Sequence, residues 1–138
     1  MEFEKLLEQV KNMTHQAVIE DIKFANFRAF SDYQLYAVNT AIYPNQGNTE
    51  GLLYTVLGLN GESGEVAEYV KKALRDDDGK VSDERREKLF YELGDILWYV
   101  ANTCEELEID IEDVARANLL KLYDRKEREV LQGEGDTR

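Results

Sequence analysis

The sequence predicts an all-α protein, a four-helix bundle preceded by one further helix at the amino terminus, and three observations predict it. A single proline, Pro44, interrupts 138 residues. The chain is rich in Leu, Glu, Lys, Ala and Val, which propagate helices with few breaks. Its apolar residues recur at helical rather than alternating spacing. Phe3, Leu6, Leu7 and Val10, continued by Met13 and Ala17, predict the leading helix. Phe24, Phe27, Phe30, Tyr33, Leu35, Tyr36 and Val38 form an aromatic stretch in which Ser31 and Asp32 suit a helix start, so a short helix is placed at residues 31–42. Tyr43-Pro44-Asn45-Gln46-Gly47-Asn48 collects turn formers and reverses the chain. Over residues 49–74, Leu52, Val56, Leu59, Val66, Val70 and Ala73 share one side of a long helix, with Lys71, Lys72 and Arg75 at its carboxyl end, where cations suit the dipole. Asp76-Asp77-Asp78-Gly79-Lys80 lacks the ligand spacing of a calcium loop and reads as a solvated turn. A second long helix starts near Ser82, with Asp83 and Glu84 in its first turn, and is expected to bury Leu89, Leu93, Ile96, Leu97, Val100, Cys104 and Leu107. Asp110 caps a third, at residues 111–129, and the short Glu108-Ile109 link predicts an antiparallel neighbour. The glycine-rich tail, residues 132–138, reads as mobile.

Charge and composition then narrow the function. Acidic residues number 29 against 17 basic, a net charge of −12, which argues against nucleic acid or an anionic membrane as a partner. Hydrophobic residues, at 43%, suffice for a packed core, and no run of about 18 apolar residues spans a bilayer. Glu2, Glu4 and Glu8 stand where a secretory signal would need positive charge and an apolar stretch, so a cytoplasmic location is expected. One cysteine, Cys104, makes no internal disulfide and continues an apolar stripe, reading as core. One histidine, His15, reads as a surface residue and makes no His-rich metal site, which also argues against a ferritin-like di-iron centre with its Glu-x-x-His pairs. Any metal here is held by oxygen.

Two acid pairs have the same spacing: Glu62-Ser63-Gly64-Glu65 and Glu92-Leu93-Gly94-Asp95. Residues three apart share a helical face, and each pair lies beside its helix's apolar stripe. Packing the helices antiparallel would bring four carboxylates to one interior wall, where hard divalent cations such as Mg²⁺ or Mn²⁺ relieve the repulsion. Taken alone, either pair is also what a solvated face of an acidic helix looks like. Gly58, Gly61, Gly64 and Gly94 each cost about 1 kcal/mol in a helix interior, which suggests close helix approach or room for a ligand beside the acids. Asn118, Lys121, Leu122 and Arg125, at i, i+3, i+4 and i+7, put an amide and two cations on one face, suited to phosphate oxygens or to ion pairing with Asp124 and Glu127.

With these residues in view, the chain resembles the MazG-like nucleotide pyrophosphohydrolases of the all-α NTP pyrophosphatase superfamily, in its compact single-domain form. The family's Glu-x-x-Glu and Glu-x-x-Asp pairs read here as Glu62/Glu65 and Glu92/Asp95. The segment from Ala117 to Lys126 resembles its downstream Asn, Lys and Arg helix, and the tail from Gly133 to Arg138 resembles its compact members. Tyr33-Gln34, Ala41-Ile42-Tyr43-Pro44 and Leu57-Gly58-Leu59 are similar to the same subgroup. The likeness covers residues 31–138, leaving 1–30 as an amino-terminal helical extension, and Gly61 departs from it where many members carry a further acid. The resemblance implies hydrolysis of nucleoside triphosphates between the α and β phosphates to monophosphate and pyrophosphate. It implies two or more Mg²⁺ ions, or Mn²⁺ in their place, on Glu62, Glu65, Glu92 and Asp95, with one of the first pair accepting the water proton. Lys121 and Arg125 would hold β and γ phosphate oxygens and Asn118 phosphate or sugar, with Lys72 a weaker phosphate candidate. Trp98, with Tyr33, Gln34, Asn39 or Tyr43, would approach the base, although an aromatic at helical spacing is more often core. A homo-oligomer, tetramer or dimer, with a groove shared between chains, and deoxynucleotides such as dGTP as substrates complete the expectation. Its alternatives are a dUTP- or alarmone-specific hydrolase and a non-catalytic acidic helical module that binds a protein partner.

Overall fold

In a computed structural model the chain is described over residues 2–14, 16–17, 20 and 30–132, and these residues form five helices and no strand. They are α1 (Glu2–Lys11), α2 (Phe30–Asn39), α3 (Thr49–Asp76), α4 (Asp83–Glu106) and α5 (Ile111–Glu127). His15, Phe24, Phe27 and the tail from Gly133 lie outside the described residues, as do the side chains of Phe3 and Leu7.

Local signals place the helix ends. The Ser82 hydroxyl accepts the Arg85 N–H at 3.3 Å, capping α4, while Asp83 and Glu84 meet the positive end of its dipole. The Asp110 carboxylate caps α5 by accepting the Glu112 N–H at 2.7 Å, and it also accepts the Ser31 hydroxyl at 2.9 Å, tying α5 to α2. Between α3 and α4, Asp77 and Gly79 both donate to the Ala73 carbonyl at 3.1 Å, with Asp78 and Gly79 at positive φ. Arg85 pins Asp77 at 2.7 Å, so the acidic turn is stapled to α4 as well as solvated.

The core gathers where α2, the end of α4 and the start of α5 meet: Ala37, Ala101, Cys104 and Ile111, with Tyr33, Leu97, Trp98 and Val100 packed on it. Gln34, buried in α2, serves this junction with its whole amide, accepting the Ile111 N–H at 2.8 Å and donating to Glu105 and the Ile109 carbonyl. α1 packs on α2 and buries Val10, and α3 lies along α4 in the largest helix pair of the chain.

Two packing expectations are corrected. Of the apolar side of α3, only Ala73 is buried; Val56 and Val70 are exposed, as are Leu93 and Leu107 of α4. The reason is length, since the 10-residue α2 cannot cover helices of 28 and 24 residues. α5 also departs from the expected antiparallel neighbour. It seats its first turn through Ile111, and Leu119, Leu120 and Tyr123 stay exposed farther along.

Candidate active site

Glu62 faces Glu92 and Asp95 across the α3–α4 seam, which is tight one turn earlier. A Cβ on Gly58 would stand 2.1 Å from Cε1 of Tyr99, so only a glycine lets the Tyr99 ring lie in this seam. One turn on, Glu62 meets Glu92 and Asp95, and one carboxylate oxygen from each lies within 4.8 Å of the others. Glu62 and Glu92 are half-buried and Asp95 is exposed, so the interior wall expected from the sequence is an open one. Glu65 is exposed and stands outside this triad, near enough for its charge to act on Glu62.

Crowding shows on Glu62. Burial pushes its carboxyl above the ordinary glutamate value, and the charges of Asp95 and Glu92, a hydrogen bond with Glu92 and the charge of Glu65 push the same way. Among the described residues, the charges that raise Glu62 are those of other carboxylates. A three-oxygen donor set with converging negative charge fits a hard divalent cation, which prefers such ligands and would reverse the repulsion. The glycines divide by role. Gly58 serves helix approach, whereas a Cβ at Gly61, Gly64 or Gly94 would meet nothing within 4 Å, leaving open space beside the acids.

From Asp95 a groove of about 570 Å³ opens between α2 and α4, lined among others by Tyr33, Phe90, Tyr91, Gly94 and Trp98. Burial, then the charge of Asp95, raises the Tyr33 hydroxyl above its ordinary value. Trp98 is both wall and core: it packs on the core cluster, and its indole N–H donates to the Thr40 hydroxyl at 2.7 Å. The other base candidates lie elsewhere, Gln34 in the α2 junction, Tyr43 buried against Glu106, and Asn39 half-buried at the end of α2. Asn118 and Lys121 are exposed on α5, while Arg125 is 4% exposed and does not present its guanidinium to solvent. Lys72 pairs with Glu68 at 3.2 Å on the surface, and Asp124 pairs with Arg128 at 2.8 Å.

Sequence reasoning missed Tyr99, Phe90 and Tyr91. The Tyr99 ring lies beside Gly58 in the α3–α4 seam, and burial, then Tyr54 and Glu62, raises its hydroxyl above its ordinary value. Its signal was present: Tyr99 is four residues after Asp95 and therefore on the same face of α4. Phe90 and Tyr91 immediately precede Glu92 and meet edge to face at 5.5 Å.

Comparison with known proteins identifies the family. Residues 51–130 match the MazG nucleotide pyrophosphohydrolase domain, a span that holds both acid pairs and the α5 face. The chain is also 50% identical over 109 residues to the Gene 37 protein of Mycobacterium phage L5, an alignment covering 77% of this chain and 96% of that protein. No solved structure matches the chain. With 80 of its 138 residues inside that match, the chain belongs to the MazG nucleotide pyrophosphohydrolase family.

Proposed function

We propose that the protein hydrolyses deoxynucleoside triphosphates between the α and β phosphates, releasing monophosphate and pyrophosphate, with divalent metal held at Glu62, Glu92 and Asp95. The observation that carries this reading is the convergence of the three carboxylates across α3 and α4, with Glu62 driven toward its neutral form by the others. Mg²⁺ or Mn²⁺ bound there would supply charge neutralisation of the triphosphate and activation of water. The chain's own groups do the rest. Glu65, outside the triad, has its oxygens uncommitted to that cluster and is the acceptor assigned to the proton of the attacking water. The aromatic groove beside Asp95 takes the base by stacking on flat apolar walls.

Phosphate contacts are assigned to Lys121 and Asn118, the exposed polar groups of the α5 face. These contacts are proposed to come from a second copy, in a dimer or a tetramer of two dimers, because α5 packs on its own chain mainly through its first turn and leaves Asn118 and Lys121 exposed. The test is chromatography of products from a panel of standard and modified (d)NTPs, with Mg²⁺, Mn²⁺ or EDTA, beside Glu62→Ala and Asp95→Ala. Monophosphate and pyrophosphate formed only with metal, and lost in both variants, are expected. Diphosphate and phosphate would overturn the assignment of the bond, and no consumption of any nucleotide would overturn the activity.

A further inference from the structure

The chain has one tryptophan, and its placement is governed from a distance. Trp98 shares the groove with Asp95, packs on the core cluster and meets the Tyr99 ring edge-on at 4.9 Å, and its indole N–H and a further ring edge are held by the 40–51 segment. Thr40 takes the indole N–H at 2.7 Å. The Tyr43 ring meets the indole edge-on, centroids 6.3 Å apart and planes at 87°, and lies nearly flat on Tyr54 at 5.2 Å. Tyr43 in turn is 6% exposed, and its hydroxyl donates to one carboxylate oxygen of Glu106 at 2.7 Å. The other oxygen of Glu106 accepts the Gly47 N–H at 2.9 Å.

Glu106 is thus bonded at both oxygens to a loop whose shape is unusual, with Asn45 at φ 58 and Gly47 at φ 77. The fit is tight: a Cβ on Gly51 would stand 2.7 Å from Glu106 and 2.5 Å from the Asn45 carbonyl. Glu106 lies eleven residues beyond Asp95, about three turns and roughly 16 Å along the same side of α4, too far to touch a reacting phosphate. Between them Asn102, fully buried, donates to the Trp98 carbonyl at 3.0 Å, which holds the backbone of that segment.

We infer that Glu106 is a positioning residue for the nucleotide site: through Tyr43, and together with Thr40, it holds Trp98 as a wall of the groove beside Asp95 and so sets which base the groove accepts. The inference rests on the reading of that groove as the base site. A side chain that acts by orienting a wall changes substrate affinity and base preference more than the chemical step.

The test uses the full chain as Glu106→Ala, Glu106→Gln and Thr40→Val, with steady-state kinetics on the nucleotide panel and, without metal, the emission and acrylamide quenching of Trp98. Glu106→Ala is expected to raise KM about tenfold with kcat within about threefold, to flatten the ranking of bases, and to shift Trp98 emission to the red with stronger quenching. Glu106→Gln retains an acceptor for Tyr43 and is expected to restore most of the emission and KM. Thr40→Val keeps the side-chain shape and removes only the indole partner, and is expected to shift emission with the loop clamp intact. It decides the matter if Glu106→Ala does not fold. Unchanged emission in Glu106→Ala and Thr40→Val, or a loss confined to kcat, would overturn the inference. Normal turnover in all variants overturns this inference alone, whereas a wild-type protein that consumes no nucleotide overturns the proposed function with it.

Discussion

Glu62 is where fold and charge conflict most directly. The α3–α4 seam half-buries its carboxyl, and three more carboxylates raise its proton affinity above the ordinary value of 4.5. A carboxyl raised in the folded state favours folding while it is protonated, and that contribution is lost as pH climbs from 4.5 through the raised value. Without metal, Glu62→Gln is therefore expected to melt with the wild type near about pH 4 and above it near about pH 7.5, by differential scanning fluorimetry in EDTA. Mg²⁺ at the higher pH is expected to raise the wild-type midpoint and leave the variant's in place. A wild type that melts higher than Glu62→Gln at both pH values would count against the strained cluster. The acids were legible in the sequence because a three-residue spacing on a helix guarantees a shared face. Which three converge was not, since Glu65 is separated from the triad by helix register, and no spacing within one helix reports register against another.

At the scale of elements, the approach of α3 to α4 turns on Gly58. A methyl there would meet the Tyr99 ring at 2.1 Å, so the ring or the helices must move. Overpacking of this kind typically costs about 1–3 kcal/mol, or roughly 3–10 °C in a chain of this size. Gly58→Ala is expected to lose that much in a thermal melt and to lose its Mg²⁺-dependent shift, because the same seam brings Glu62 to Glu92 and Asp95. Gly61→Ala is expected to behave oppositely. Its Cβ meets nothing within 4 Å, so the alanine adds helix propensity of up to about 1 kcal/mol and raises the midpoint. If both glycines respond alike, helix approach is not what distinguishes them. The helices α2 to α5 were readable from periodicity and from the Ser82 and Asp110 caps, each within a few residues of its observed end, whereas the leading helix, read as continuing through Met13 and Ala17, ends at Lys11. What periodicity could not supply was which apolar residues find a neighbour. Leu93 keeps the period of α4 as well as Leu97 does, yet it lines the open groove and stays exposed while Leu97 packs on the core cluster.

At the scale of the whole molecule, the described residues leave large apolar side chains exposed on three helices. Leu53 and Leu57 on α3, Phe90 and Leu93 on α4, and Leu120 and Tyr123 on α5 are all more than half exposed. These side chains are proposed to be where copies of the chain associate. The net charge of −12 works against association, since like-charged copies repel, and salt screens that repulsion over a Debye length of about 10 Å at 0.1 M. Burial of apolar surface contributes about 25 cal/mol per Å², so a patch of roughly 800 Å² per copy outweighs screened repulsion between rims. Light scattering is therefore expected to give a mass that is a multiple of 16.0 kDa, with dissociation favoured by dilution and by low salt. Placing charge on the exposed face of α5 with Leu120→Glu and Tyr123→Glu together is expected to bring the mass toward 16.0 kDa while circular dichroism stays helical, because neither side chain supports the core of its own chain. Activity should fall with that mass, since the phosphate contacts proposed for Asn118 and Lys121 lie on the same helix and are proposed to come from another copy. A wild-type mass of 16.0 kDa at full activity would mean that one chain completes its own site, and the assignment of Lys121 to a partner's phosphate would fall.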